Sequence, residues 1–441
     1  MRPLVHLLAS FSLLILAAAA QPNAADPQAV AEVHAGKRDT ANAAWWGFSA
    51  EDSTSALQAA LDSGAKKVII PYMGSPWVIT PVNLRGNQEI LIEPGVILLA
   101  KRGAFLGRGD SLLTADGVEN LTIRGYGAVL RMHKSDYQKP PYQKAEWRMG
   151  LSLRGVKNVL VEGISSDLSG GDGFYIAGNA TRRWSENVVV RDCSAYGNHR
   201  QGMSVISAVN LLVENCRFSS TQGTAPESGI DLEPDVEDER LQSVLVRNCI
   251  FENNSGHGMQ VYLRPLSRKS APVSIRFENC LTRMLPGAPG AGAGMVVGGV
   301  RDDGPEGLIE FINCVSENTA REGALVYDKS ASSVKVRFVN CHWHSPWQGQ
   351  VPNYAGPRVP VLLQVRRPAV SSLPGGVEFI GCYVYDTVNR PVLQFETEKP
   401  LVLSDVSGAI YAVGAKVPRA RLGESLKSVN LRVIGPAASQ P

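Results

Sequence analysis

The stretch Glu227-Ser228-Gly229-Ile230-Asp231-Leu232-Glu233-Pro234-Asp235 sets two carboxylates two residues apart inside an apolar alternation. On an extended strand, positions i and i+2 share a face, with Cα atoms ~6.6 Å apart. Paired carboxylates can divide acid and base duties, and a separation of about 6.5–9.5 Å leaves room for water between them, as inverting glycoside hydrolysis requires. Asp231 and Glu233 are therefore the candidate catalytic pair. The competing reading is the polar surface of an ordinary solvated strand.

Segments that align with this one supply Asp172, then His199, Arg200, Gln201 and Ser204, and on the other side His257, Gln260, Tyr262 and Arg264. Farther along, the equivalent outward positions become Val296 and Leu325, so the titratable groups gather on adjacent turns. Such a cluster can raise one carboxyl's pKa through its like-charged neighbour, leaving a proton donor beside an ionised base. His257 is a third catalytic candidate, or else a turn residue bonded to backbone. Asp172, His199, Arg200, Gln260, Tyr262 and Arg264 are expected to line the substrate. Arg200 and Arg264 either hold an acidic sugar or pair with the nearby carboxylates. The aromatic and charged run from Arg131 to Arg148 breaks the pattern. It is expected either to wall a cleft, with Tyr142 or Trp147 stacking on a sugar, or simply to pack on the body.

Two recurring motifs must position these groups. The first is Gly-apolar-variable-apolar, starting at Gly173, Gly202, Gly229, Gly258, Gly294 and Gly323, at intervals of 29, 27, 29, 36 and 29 residues. Period-2 alternation sends the apolar members inward and the variable ones, Asp231 among them, to solvent. The second motif is an alternating strand that ends in Asx-Cys, at Asp192-Cys193, Asn215-Cys216, Asn248-Cys249, Asn279-Cys280, Asn313-Cys314 and Asn340-Cys341. Asn and Asp tolerate left-handed backbone, so these residues mark one corner of a coil. A unit of this length holds three short strands and three turns, and stacked units bury a column that none buries alone. The fold class is all-β, a right-handed parallel β-helix.

The seven cysteines follow the same register, with Cys382 as the last, and read as a column of buried reduced thiols rather than disulfides. No spacing resembles a zinc site. Val82–Leu99, Leu121–Leu130 and Leu151–Val161 continue the architecture with weaker signatures. Asp52-Ser53-Thr54-Ser55 opens a helix whose face of Ala56, Leu57, Ala60 and Leu61 covers the open end of the solenoid. Pro286–Pro289 and Ser345–Pro360 read as loops that leave the coil, and Pro436–Pro441 as a frayed end.

Residues 1–20 combine Arg2, an apolar run and Ala17-Ala18-Ala19-Ala20, the order of a secretory signal cleaved after Ala20. The division is therefore 1–20 signal, 21–51 lead-in, 52–412 β-helix and 413–441 C-terminal segment. The formal charge of +3 leaves no basic excess for nucleic acid. No later stretch reaches the ~20 apolar residues of a membrane span. The stack needs no partner for its core, so the expectation is an exported monomer, periplasmic or extracellular.

These features resemble the pectin-lyase-like β-helix superfamily, which includes polysaccharide lyases, polygalacturonases and uronate epimerases. The likeness covers roughly Asp52 to Ala412 and rests on the opening helix, the strand at Val68-Ile69-Ile70-Pro71 and the two rung motifs. Polygalacturonases carry Asn-Thr-Asp, Asp-Asp, Gly-His-Gly and Arg-Ile-Lys in order. Gly256-His257-Gly258 matches the third, Asp172 lies in Gly-Gly-Asp-Gly, and Asp231-Leu232-Glu233 stands where adjacent aspartates would be. Arg264-Pro265-Leu266 does not reproduce the fourth, and a full rung separates Asp172 from Asp231. The resemblance implies a glycoside hydrolase acting on a polysaccharide, neutral or acidic, without a cofactor. It equally allows a lyase or epimerase with Ca²⁺ held by Asp172, Asp231, Glu233 and Asp235 and with Arg200, Arg264 or His257 as base. The lack of lysine among the outward residues of the central rungs tilts the reading to hydrolysis. A glycan-binding β-helix without turnover is the third alternative.

Overall fold

A computed structural model of the chain describes residues 25–349, 351, 354–367, 371–415 and 419–435. The expected signal and the Pro436–Pro441 end lie outside these residues.

The rung glycines open the strands of a parallel sheet that holds 12 strands among the described residues, each hydrogen-bonded to the strand one turn earlier and one turn later. Phe174–Ala177, Met203–Val205, Ile230–Leu232, Met259–Tyr262, Met295–Val300 and Ala324–Lys329 follow one another in register, so that Tyr175, Ser204, Asp231, Gln260, Val296 and Leu325 form one outward column. The remaining strands of each turn form a larger sheet of 22 strands. Between the sheets runs one continuous apolar core. Stacked phenylalanines lie within it, with Phe277, Phe311, Phe338 and Phe379 at centroid spacings of 4.9, 5.1 and 5.4 Å.

The Asx corner adopts the expected geometry. Asp192, Asn215, Asn248, Asn279, Asn313 and Asn340 have φ between 48° and 55°. Each asparagine amide donates to the carboxamide or carboxylate oxygen of the rung before, at 2.9–3.4 Å. A second ladder of the same kind runs through Asn87, Asn120, Asn158, Asn187 and Asn210, at 2.8–2.9 Å. All seven cysteines are free and buried. Each thiol donates to a backbone carbonyl two residues back, and Gly381, at φ 59°, replaces the asparagine before Cys382.

The Thr54–Asp62 helix buries Ala56, Leu57, Ala60 and Leu61 against the first turn. Asp52 accepts the Thr54 N–H at 2.9 Å, whereas Ser53 makes no capping bond to the helix. The coil reaches past 52–412 in both directions. Thr40–Asn42 pairs with Lys67–Ile69, and Leu426–Ile434 pairs with Leu403–Tyr411. A second helix, Pro27–His34, precedes the first strand and is capped by Asp26. Among the described residues, no helix is long and apolar enough to cross a membrane.

One expectation fails in an informative way. The variable positions of the smaller sheet were expected to face solvent, yet Ser204, Asp231 and Gln260 are buried, as are Val296 and Leu325. Loops fold back over this face. Val359, from the Ser345–Pro360 excursion, packs with Ala293, Val296, Leu325 and Leu362 in a small second core outside the coil.

Candidate active site

Asp172, Asp231 and Glu233 are brought together around Arg200. Asp231 lies mid-strand in Ile230–Leu232, and Glu233 follows on the same face, its N–H bonded to the Val205 carbonyl of the preceding turn. Asp172 precedes its rung glycine, and its backbone carbonyl accepts the Gly150 N–H. Gly171 lets this turn close, because a Cβ there would meet the Glu146 carbonyl oxygen at 2.7 Å and the Arg148 nitrogen at 2.9 Å. The Arg131–Arg148 loop lies against this turn, and Asp172 is 0% exposed.

Arg200 spans the carboxylates, with Nη1 at 3.8 Å from Asp172 Oδ2 and Nη2 at 3.6 Å from Glu233 Oε2. Gln201 holds Asp231, donating from Nε2 to Oδ2 at 3.0 Å while its own Oε1 accepts the Ser228 N–H at 2.7 Å. Gln260 Oε1 accepts the Ser228 hydroxyl at 3.3 Å. Around this frame lie buried polar atoms without a hydrogen bond of ordinary geometry: both Asp172 carboxyl oxygens, Asp231 Oδ1, Ser204 Oγ and Arg200 Nε, with the Ser204 hydroxyl close enough to Asp172 to bear on its charge. Buried polar groups are ordinarily satisfied, and each one left open costs about 1–3 kcal/mol. Five such atoms in one place mark a surface built for something other than stability.

Burial sets the electrostatics. It raises the Asp172 carboxyl to about 6, against the pull of Arg200. Asp231 is held well above the ordinary carboxylate range by burial first and then by the charge of Glu233, again opposed by Arg200. Because Gln201 donates to Oδ2, the proton of a neutral Asp231 belongs on Oδ1, the oxygen with no partner.

Other expected site residues lie elsewhere. The His199 ring sits beneath Gly223 and bonds the Thr224 hydroxyl at 2.9 Å. Burial first, then Lys134 and Lys144, lowers it to about 4, so it is a neutral anchor for that loop. His257 accepts the Ala293 N–H on Nδ1 at 3.0 Å, and the charges acting on it are Arg321 and Arg366. Tyr262 stacks on Tyr327 at 6.3 Å, and Arg264 is exposed. Trp147 is at the surface with the Arg108 guanidinium 4.9 Å from its ring, while Tyr142 accepts the Gly103 N–H and Arg148 is buried on the Phe105 carbonyl. That loop packs on the coil and contributes Glu146, whose charge reaches Asp172 and Arg200 and which sequence reasoning did not single out.

Among the described residues, no group of three or more His, Cys, Asp or Glu side chains is arranged to hold a metal. A cavity of about 610 Å³ opens between Met284–Gly290 and Gln348–Gly349, but its lining carries no ionisable side chain. The carboxylate cluster is the candidate for acid–base chemistry among the described residues.

Comparison with known proteins supports the architecture. A family described as a right handed beta helix region matches residues 143–282. A curated relative, the SPbeta prophage-derived uncharacterized protein YorA of Bacillus subtilis (strain 168), is 26% identical over 214 residues, 45% of this chain. The match covers 35% of that protein, so the chain spans about a third of its relative. A Family 28 exopolygalacturonase of Yersinia enterocolitica superposes with a TM-score of 0.57 at 15% identity, over 91% of this chain and 79% of that one. PfbA, a surface adhesin of Streptococcus pneumoniae, gives 0.56 at 11% identity, over 91% and 96%. The chain has the right-handed parallel β-helix fold. An enzyme and an adhesin share that fold, so the reaction must be argued from the site.

Proposed function

We propose that this chain is an exported glycoside hydrolase that cleaves a polysaccharide by general acid–base catalysis, with Asp231 as acid and Glu233 as base. The observation that carries the reading is the buried Asp231 Oδ1, free of a hydrogen-bond partner, beside a second carboxylate, Glu233, that reaches Arg200. Asp231 Oδ1 gives its proton to the glycosidic oxygen as the C–O bond breaks. Glu233, whose side chain keeps 28% of its exposure, is reached by water and takes a proton from it as the new C–O bond forms. Arg200, which reaches Asp172 on one side and Glu233 on the other, offers charge to an acidic sugar. Asp172 sets the charge on the far side of Arg200 and positions it.

Purified protein is incubated with neutral, uronate and sulfated polysaccharides, with Ca²⁺ or chelator, while reducing ends and unsaturated uronate absorbance are followed. Reducing ends without the unsaturated signal, lost in Asp231→Asn and Glu233→Gln, are the expected result. A Ca²⁺-dependent unsaturated product would replace hydrolysis with elimination. Binding without product would make the chain a glycan receptor. The N-terminal residue of protein recovered outside the cytoplasm tests export, with Gln21 expected.

A further inference from the structure

A second group of unsatisfied side chains lies farther along the same face. Ser228, His257, Ala293 and Glu322 occupy one position, just before the rung glycine, on successive turns, their carbonyls accepting from Gly202, Gly229, Gly258 and Gly294. Glu322 therefore stands three rungs, roughly 14 Å, from the turn that carries Asp231. It is fully buried. Its Oε1 accepts from Arg321 Nη2 and from the Tyr354 hydroxyl, both at 3.1 Å, and its Oε2 has no partner. Arg321 Nε is likewise buried without an acceptor.

An acceptor lacking a donor beside a donor lacking an acceptor fits a hydroxyl, which supplies both. The surroundings fit a sugar ring. Tyr354 and Trp347 form a corner with centroids 4.8 Å apart, and the Arg321 guanidinium lies 4.7 Å from the Tyr354 ring. They also fit an acid. Arg358 lies over Trp347 at 5.6 Å and Arg366 over Tyr327 at 5.7 Å, and among the described residues no carboxylate forms an ion pair with either. His257, on the turn after Ser228, stays neutral, pushed down to about 3 by burial, then by Arg321 and Arg366. With Nδ1 accepting, its proton sits on Nε2 as a further donor.

We propose that the Arg321–Glu322–Tyr354 corner, walled by Trp347, is a second subsite that binds an acidic sugar unit of the same polysaccharide, three rungs from the carboxylates that act on it. This rests on the polysaccharide reading above.

Calorimetric titration of the full chain, in an Asp231→Asn background that prevents turnover, compares a uronate disaccharide with a uronate hexasaccharide. The hexasaccharide is expected to bind at least roughly tenfold more tightly. Arg321→Met, Glu322→Gln and Tyr354→Phe each remove that gain and leave the disaccharide unchanged. Tyr354→Phe keeps the ring and guards against misfolding as the cause. Arg358→Ala and Arg366→Ala weaken the uronate hexasaccharide but not its carboxyl-reduced, neutral counterpart. If the gain persists in all three corner variants while their melting temperatures fall, the corner merely pins the Ser345–Pro360 loop and the inference is overturned. If the corner variants behave as expected but wild-type protein cleaves no polysaccharide, the hydrolase reading falls and the subsite stands. Absence of binding at either length overturns the subsite, while the hydrolase reading is decided separately by the polysaccharide panel.

Discussion

Along the outward face of the larger sheet, Glu162 sits between Arg124 and Arg191, Glu214 meets Arg247, and Glu310 lies between Arg276 and Arg337, which also reaches Glu378. Each rung answers the charge of the rung before, and Glu162, although its side chain is only 3% exposed, has both oxygens engaged. On the smaller sheet, Asp172 and Glu233 share one arginine beside Asp231, and three buried oxygens of the two aspartates have no hydrogen-bond partner. The same pleat and spacing serve both faces. The larger sheet uses charge to fix register, and the smaller sheet leaves it unresolved where a substrate can resolve it.

The sharpest test exchanges the roles of the two faces. Asp231→Asn removes the proposed proton donor and should cost roughly 10²–10⁴ in turnover, with no loss of melting temperature, since a neutral amide replaces a neutral buried acid and keeps the oxygen that accepts from Gln201. A fall in stability without loss of activity would erase the distinction. The pH profile comes next. Folding raises the Asp172 carboxyl to about 6 from an ordinary 3.8, so between those values the folded state binds more protons than the unfolded one. Stability therefore falls as pH rises from about 4 to 6, by up to about 3 kcal/mol. Asp172→Asn should flatten that limb in urea melts and stabilise the protein at neutral pH. On the paired face the signs reverse: Glu162→Gln should destabilise by about 2 kcal/mol in the same assay and leave turnover untouched. The smallest effect is expected at the corner, where Asn248→Ala forces an alanine into left-handed backbone and costs about 1–2 kcal/mol. Asn248→Gly, free of that strain, should lose only the ladder bonds and less stability.

The repeat was legible because it is local. Apolar alternation, rung glycines and Asx-Cys corners recur with one period, and the capping helix has its own face of Ala56, Leu57, Ala60 and Leu61. The second asparagine ladder left a signal that went unread, an asparagine followed by apolar alternation at Asn120-Leu121, Asn158-Val159, Asn187-Val188 and Asn210-Leu211. The alternation of charge at Arg191, Glu214 and Arg247, each just ahead of its Asx, was equally visible. Asp231, Glu233, Asp172 and Arg200 could be picked out because the rungs align them. Their burial could not, since it depends on excursions that fold back without period. His199 and His257 show the same limit from the other side. His199 adjoins the cluster in sequence and His257 lies on the next rung, yet they are turned to the Thr224 loop and the Ala293 N–H by contacts that spacing does not encode.

The stack of in-register rungs also has a consequence for how such a molecule changes over generations. A turn duplicated or lost between Gly258 and Gly323 leaves every neighbouring pairing intact, because each rung reads only the one before it. The distance between the carboxylates and the Arg321–Glu322 corner can therefore change only in whole steps of ~4.8 Å. Any preference for chain length built on that distance is quantised, a ruler whose divisions are the turns themselves.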